Sequence, residues 1–247
     1  MSTEQVFGIH AVEAVLRVDA ERVRRLFVQA QRRDPRMTTL LELAAAASVP
    51  VENCDRSRLD RMTHNGRHQG VVAETAQGEL GSETELELRW QTLPQPLLLL
   101  ALDGVMDPRN LGACLRSADA AGVGAVLLPK SRTAPLSEVA RKSASGAAES
   151  LFLVQVSNLM RRLEWLKRQG VWVVGAAGDA DVAWDAADLT RPTVLVLGGE
   201  GKGLRDLTRK TCDQLVSVPM RGAVSSLNVS VATGILLFEA VRQRARS

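Results

Sequence analysis

Apolar runs recur at residues 97–102, 125–128, 151–156, 171–174 and 194–197, and this repetition constrains the fold more than any other feature of the chain. Continuous apolar runs of this length fit strands buried on both faces. Helical patterns lie between them at 108–121 and 157–169. Each closes on a glycine, Gly122 and Gly170, at the place where a left-handed residue ends a helix. Alternation of strand and helix predicts a largely parallel sheet covered by helices. A last helix is expected over 226–244, with Val229, Ala232, Ile235, Leu236 and Ala240 at helical spacing. The longest run, 97–102, falls far short of the ~20 residues needed to cross a bilayer. Glu4 and His10 stand where a signal peptide needs a basic and then an apolar stretch, so a cytoplasmic protein without a membrane partner is expected.

The first 76 residues differ in texture. Val12, Val15 and Leu16 mark a helix, 25–29 a short apolar segment, 38–47 a second helix and 70–73 a strand, which together read as a small α/β module. Residues 77–95 carry four Glu against one Arg, with no sustained periodicity, and read as a linker. The larger domain then runs over 96–247. Net charges are +1 for residues 1–77, −3 for the rest of the linker and +5 for 96–247, so the positive excess sits in the larger domain. The basic residues are 26 Arg and only 5 Lys, a bias that suits bidentate contacts to phosphate. Four Phe, four Trp and no Tyr argue against a platform of stacked single-stranded bases. Cys54, Cys114 and Cys212 are far apart and odd in number, which fits small buried hydrophobes and neither a disulfide framework nor a zinc site.

Three segments can carry chemistry. Residues 103–119, DGVMDPRNLGACLRSAD, leave a buried strand and enter a helix that Asp107 can cap and Pro108 can start. Leu111, Cys114, Leu115 and Ala118 share one face of that helix, with Arg116 roughly opposite. Residues 194–204, VLVLGGEGKGL, run from a strand into four glycines around Glu200 and Lys202. A GxGxxG loop would need glycine at Leu204; a P-loop would need glycine at Val196 and Ser or Thr at Gly203. The carboxylate would repel a phosphate by ~1 to 4 kcal/mol, so the loop serves something other than a nucleotide phosphate. Residues 216–234, VSVPMRGAVSSLNVSVATG, place Ser225, Ser226 and Asn228 at the start of the last helix. Each can be a plain cap; together they form a hydrogen-bonding site for a polar ligand. His10, His64 and His68 lie only in the small module, without Ser or Cys partners at a recognisable spacing, which argues against a hydrolytic triad and a metal site. A nicotinamide-binding fold fails as well, since Gly175 and Gly178 are the nearest approach to its fingerprint.

In this order the segments closely resemble the SpoU, or TrmH, family of S-adenosylmethionine-dependent RNA 2′-O-ribose methyltransferases. The resemblance rests on NLGACLRSADAAG from Asn110, LVLGGEGKGL from Leu195 and VPMRGAVSSLNVSVATGILLFE from Val218. FGIHAVEAVL from Phe7 and RHQGVVA from Arg67 are similar to the members that methylate a guanosine of 23S ribosomal RNA. The resemblance implies a SPOUT domain, a parallel sheet with helices on both faces and a C-terminal trefoil knot, preceded by a ribosomal-protein-like RNA-binding domain. It implies a homodimer without a metal. Gly198, Gly199, Val218, Met220 and Leu227 match positions that line the S-adenosylmethionine pocket, and Asn110, Arg116, Glu200, Ser226 and Asn228 match the polar active-site positions. The family assigns Arg116 the proton of the ribose 2′-hydroxyl; a protonated guanidinium offers no acceptor, so Glu200 or a water is the alternative acceptor. The same chemistry on transfer RNA and a non-catalytic assembly factor are the rival readings.

Overall fold

The computed structural model describes residues 3–30, 32, 34–76, 80–201 and 203–246. Two compact units emerge, one from residues up to 76 together with Ser145–Ser150, the other from Leu80–Ala144 and the chain from Leu151 onward. The small unit runs β1 (Thr3–Phe7), α1 (Ile9–Val18), β2 (Val23–Gln29), α2 (Pro35–Ala46), β3 (Val51–Cys54), α3 (Arg56–Met62) and β4 (Val71–Ala76). Its four-stranded sheet has the order β1-β4-β2-β3, with β4 antiparallel to both neighbours and β2 parallel to β3. Val12, Val15 and Leu16 of α1 and Met37, Leu40 and Ala44 of α2 pack on one face, while Phe27, Val72 and Leu59 close the other.

The large unit contains α4 (Glu83–Arg89), β5 (Leu98–Asp103), α5 (Pro108–Ala120), β6 (Ala125–Pro129) and α6 (Glu138–Ala144). The short α7 (Ala147–Ser150) belongs to the small unit, where it packs on α1. The chain returns to the large unit with β7 (Leu153–Val156), α8 (Leu159–Arg168), β8 (Trp172–Ala176), β9 (Val182–Ala183), β10 (Thr193–Gly198), α9 (Asp206–Thr211), β11 (Gln214–Ser217) and α10 (Val229–Arg244). Its seven strands are all parallel, in the order β7-β6-β5-β10-β8-β11-β9. β5 and β6 are buried along their whole length, as their unbroken apolar sequences require. Gly122 and Gly170 have φ of 70° and 82°, the left-handed conformation expected at the two helix ends. Among the described residues no helix is long and apolar enough to cross a membrane.

Residues 80–95 are not the featureless linker that their charge suggests; 77–79 lie outside the described residues. Ser82 and Glu85 form a reciprocal capping box at the start of α4, and Leu86 is fully buried in the core of the large unit. Arg162 of α8, 8% exposed, reaches Glu83 at 2.6 Å and Glu87 at 2.8 Å and holds α4 in place. At the other end of the chain Arg244 donates to the carbonyls of Leu189, Pro96, Leu97 and Arg191, fastening the end of α10 beside the starts of β5 and β10.

Candidate functional site

β5 and β10 pair in parallel with Gly198 opposite Asp103, so the loops that follow them leave the sheet side by side. Open α/β sheets bind ligands at such carboxyl ends. The first loop passes Gly104, at φ 89°, and enters α5, where Asp107 accepts from the amides of Arg109 and Asn110 at 2.6 and 3.2 Å. The second loop leaves no room for side chains at its root. A Cβ on Gly198 would run into the backbone of Gly203 and Leu204, and one on Gly199 into the carbonyl of Gly104. The glycines are thus required for the loop to lie on its neighbour and fold back on itself, with Gly203 N donating to Gly199 O at 3.1 Å.

Asn228 caps α10, its Oδ1 accepting from Ser230 N at 2.8 Å and from Ser230 Oγ at 2.6 Å. That fixes its Nδ2 toward Asn110 Oδ1, 3.0 Å away, and Asn110 in turn donates through Nδ2 to Glu200 Oε1. Packing of α10 on α5 makes the meeting possible; Cys114 Sγ and Thr233 Oγ1 touch at 3.3 Å across that interface. Three sequence segments are thereby joined in one chain of hydrogen bonds, Asn228 to Asn110 to Glu200. Among the described residues Glu200 Oε2 makes no hydrogen bond, and the carboxylate is exposed to solvent.

Arg116 is exposed on α5 six residues beyond Asn110, about 9 Å along the helix axis. Ser226 is exposed two residues before Asn228. Val218, Met220 and Leu227 are half-buried in the irregular segment between β11 and α10. Among the described residues the main chain of 218–227 makes no backbone-to-backbone hydrogen bond, leaving a row of amides and carbonyls for a ligand. Lys202 lies outside the described residues.

Sequence reasoning missed Asp103, whose side chain is fully buried and pairs with Arg205 at 2.5 Å. The available signal was an acid closing an otherwise apolar strand. The thiols offer no nucleophile: burial pushes Cys114 up to about 11 and Cys212 up to about 12. His68 is 4% exposed, with Nε2 3.0 Å from Asp60 and Nδ1 accepting from Gly70 N, which is a structural arrangement. Among the described residues no group of three His, Cys, Asp or Glu is placed to hold a metal.

Residues 97–238 match the SpoU rRNA Methylase family, and residues 5–80 match the RNA 2′-O ribose methyltransferase substrate binding family. The chain is 55% identical over 241 residues to the 23S rRNA (guanosine-2′-O-)-methyltransferase RlmB of Pseudomonas aeruginosa, covering 98% of this chain and 97% of that protein. It is similar in structure to the S-adenosylmethionine-bound rRNA methyltransferase of Sinorhizobium meliloti, at 27% identity and TM-score 0.76, covering 97% of this chain and 87% of that one. The fold is also that of the SpoU methyltransferase AviRb of Streptomyces viridochromogenes, at 24% identity and TM-score 0.78, covering 99% and 92% of the two chains.

Proposed function

The chain belongs to the SpoU rRNA methylase family, and on that premise we propose that it transfers a methyl group from S-adenosylmethionine to the ribose 2′-oxygen of a guanosine in 23S ribosomal RNA. The convergence of Asn110, Glu200 and Asn228, one from each signature segment, carries the reading.

The residues fit the cofactor. Gly198, Gly199, Val218, Met220 and Leu227 would hold it, the last three through main-chain groups that no other backbone group engages among the described residues. S-adenosylmethionine, when bound, supplies an electrophilic methyl on a sulfonium; it brings no phosphate, which suits a loop carrying Glu200. Within the cluster Asn228 fixes Asn110 and Asn110 fixes Glu200, whose Oε2, open among the described residues, is the acceptor for the proton of the 2′-hydroxyl. Arg116, permanently cationic, holds the adjoining phosphate and stabilises the developing alkoxide. Ser226 adds a hydroxyl donor beside the start of α10. The small unit, residues 1–76, binds the RNA and selects it, and residues 96–247 carry the chemistry.

The same membership supports a trefoil-knotted path, with β10 seated between β5 and β8, and a cytoplasmic location where ribosomal RNA is made. A homodimer is part of the proposal. Val231 and Phe238, both 49% exposed and seven residues apart on α10, give a second copy an apolar stripe to cover.

The test is transfer from labelled S-adenosylmethionine to unmodified 23S and transfer RNA, with the product nucleotide mapped. Ribose methylation at one guanosine of 23S RNA is expected. Methylation of transfer RNA alone would replace the substrate, and cofactor binding without transfer to either RNA would favour an assembly factor.

A further inference from the structure

Both legs of the glycine loop rest on one residue. The main-chain carbonyl of Asp103 accepts from Gly199 N at 2.9 Å, where the loop begins. Its carboxylate accepts from Arg205 N at 3.3 Å and pairs with Arg205 Nη2 at 2.5 Å, where the loop ends. Asp103 thus spans the mouth of the loop from below, at the end of β5, while Glu200 stands on top of it beside Asn110.

Stability does not explain this arrangement. The Asp103 side chain is fully buried and that of Arg205 is 40% exposed. Arg205 Nε is buried without a hydrogen-bond partner, and Asp103 Oδ1, close as it is to Nη2, lacks a well-directed hydrogen bond. Thr208 Oγ1, fully buried on the first turn of α9 just beyond Arg205, also lacks a partner. A partly satisfied buried ion pair is a poor stabiliser compared with apolar packing of the same volume. Its use is geometric, because a charged pair fixes direction as well as distance.

We propose that Asp103 and Arg205 are positioning residues for the methyl-donor pocket, the main chain of Asp103 setting where the glycine loop starts and its ion pair with Arg205 setting where it ends. This rests on the reading of Gly198 and Gly199 as part of the S-adenosylmethionine site. Neither residue touches the reacting atoms; both act through the loop.

The test is a double-mutant cycle on the full chain, read by calorimetric titration with S-adenosylmethionine, with RNA affinity and melting temperature measured on the same preparations. Asp103→Asn and Arg205→Gln are each expected to weaken donor binding about tenfold, and the double variant no further than the worse single, because the pair acts as one unit. Arg205→Lys recovers part of the loss, and RNA affinity stays within about twofold of wild type. Should Asp103→Asn fail to fold, Arg205→Gln and Arg205→Lys, at a part-exposed position, carry the test. A pair with only a structural role would lower the melting temperature and leave the donor Kd unchanged, which overturns the inference. Fully additive losses overturn it as well. If wild type itself binds no S-adenosylmethionine, the functional reading falls and this one with it; wild-type binding with unaltered binding by the variants removes this inference alone.

Discussion

His68 in the small unit and Asp103 in the large one are both buried polar side chains, yet their surroundings treat them in opposite ways. His68 uses each ring nitrogen once, toward Asp60 and Gly70, and shapes the turn before β4. Asp103 holds two backbone segments and a cation, and leaves neighbouring polar atoms short of partners. The difference teaches where each unit concentrates its precision. His68 serves the shape of its own unit, whereas Asp103 stands at the end of the large sheet beside the loops that present Asn110, Glu200 and Asn228, apart from the Arg162 and Arg244 contacts that fasten the unit elsewhere.

The contrast is sharpened most by removing a group of the large unit that the proposed reaction uses, Arg116 on α5. Arg116→Ala is expected to reduce methyl transfer by about 10³-fold while S-adenosylmethionine and RNA still bind, as single-turnover transfer and separate binding titrations would report. Near-wild-type turnover would remove Arg116 from the mechanism and blur the distinction between the units. Next in size is Glu83, which is in the large unit but away from the site. Burial works to raise its pKa; the Ser157 hydroxyl and amide and the Arg162 guanidinium outweigh that and bring it down to about 2 from 4.5. A depressed carboxylate stabilises the fold above its unfolded pKa and loses that contribution as pH falls through the folded one. The contribution, about 3 kcal/mol, is therefore whole at neutral pH and lost between pH 4.5 and about 2. Denaturant titrations across this window should show a slope that Glu83→Gln flattens, and an unchanged slope would mean the α4–α8 contact is not a thermodynamic one.

The smallest effect is expected in the small unit. His68→Ala removes two hydrogen bonds, leaving Gly70 N–H without that partner and Asp60 with only the longer Arg56 contact at 3.8 Å, a loss of about 2 kcal/mol read in the melting of the small unit. Affinity for S-adenosylmethionine should not change; a fall there would break the separation of roles.

The large sheet was legible where strands are buried on both faces. β5, β6 and β10 are runs of Leu, Val and Ala with almost no exposure. β1 and β3 were not legible, because strands at the sheet edge alternate exposed and buried residues over only a few positions. β9 has only two residues and no pattern to read. α4 was hidden by a single buried residue, Leu86, although its capping box was written at Ser82 and Glu85. At the site, Asn110, Glu200 and Asn228 were legible from their motifs. Their order of contact was not, since Asn228 Nδ2 faces Asn110 only because Ser230 occupies its oxygen. Asp103 escaped notice because a lone acid after an apolar run reads as an ordinary strand end; only the parallel register with β10 gives it two segments to hold.

The hydrogen bonds that join Asn110 to Glu200 and to Asn228 span 90 and 118 positions of the chain. A ribosome adding about 5 to 20 residues per second needs roughly 6 to 24 s to pass from the first of these asparagines to the last. Through the first part of that interval the small unit still awaits its last piece, Ser145–Ser150, and throughout it the cluster of Asn110 and Glu200 lacks Asn228. The three-residue cluster is therefore assembled only once α10 has emerged, close to the end of synthesis.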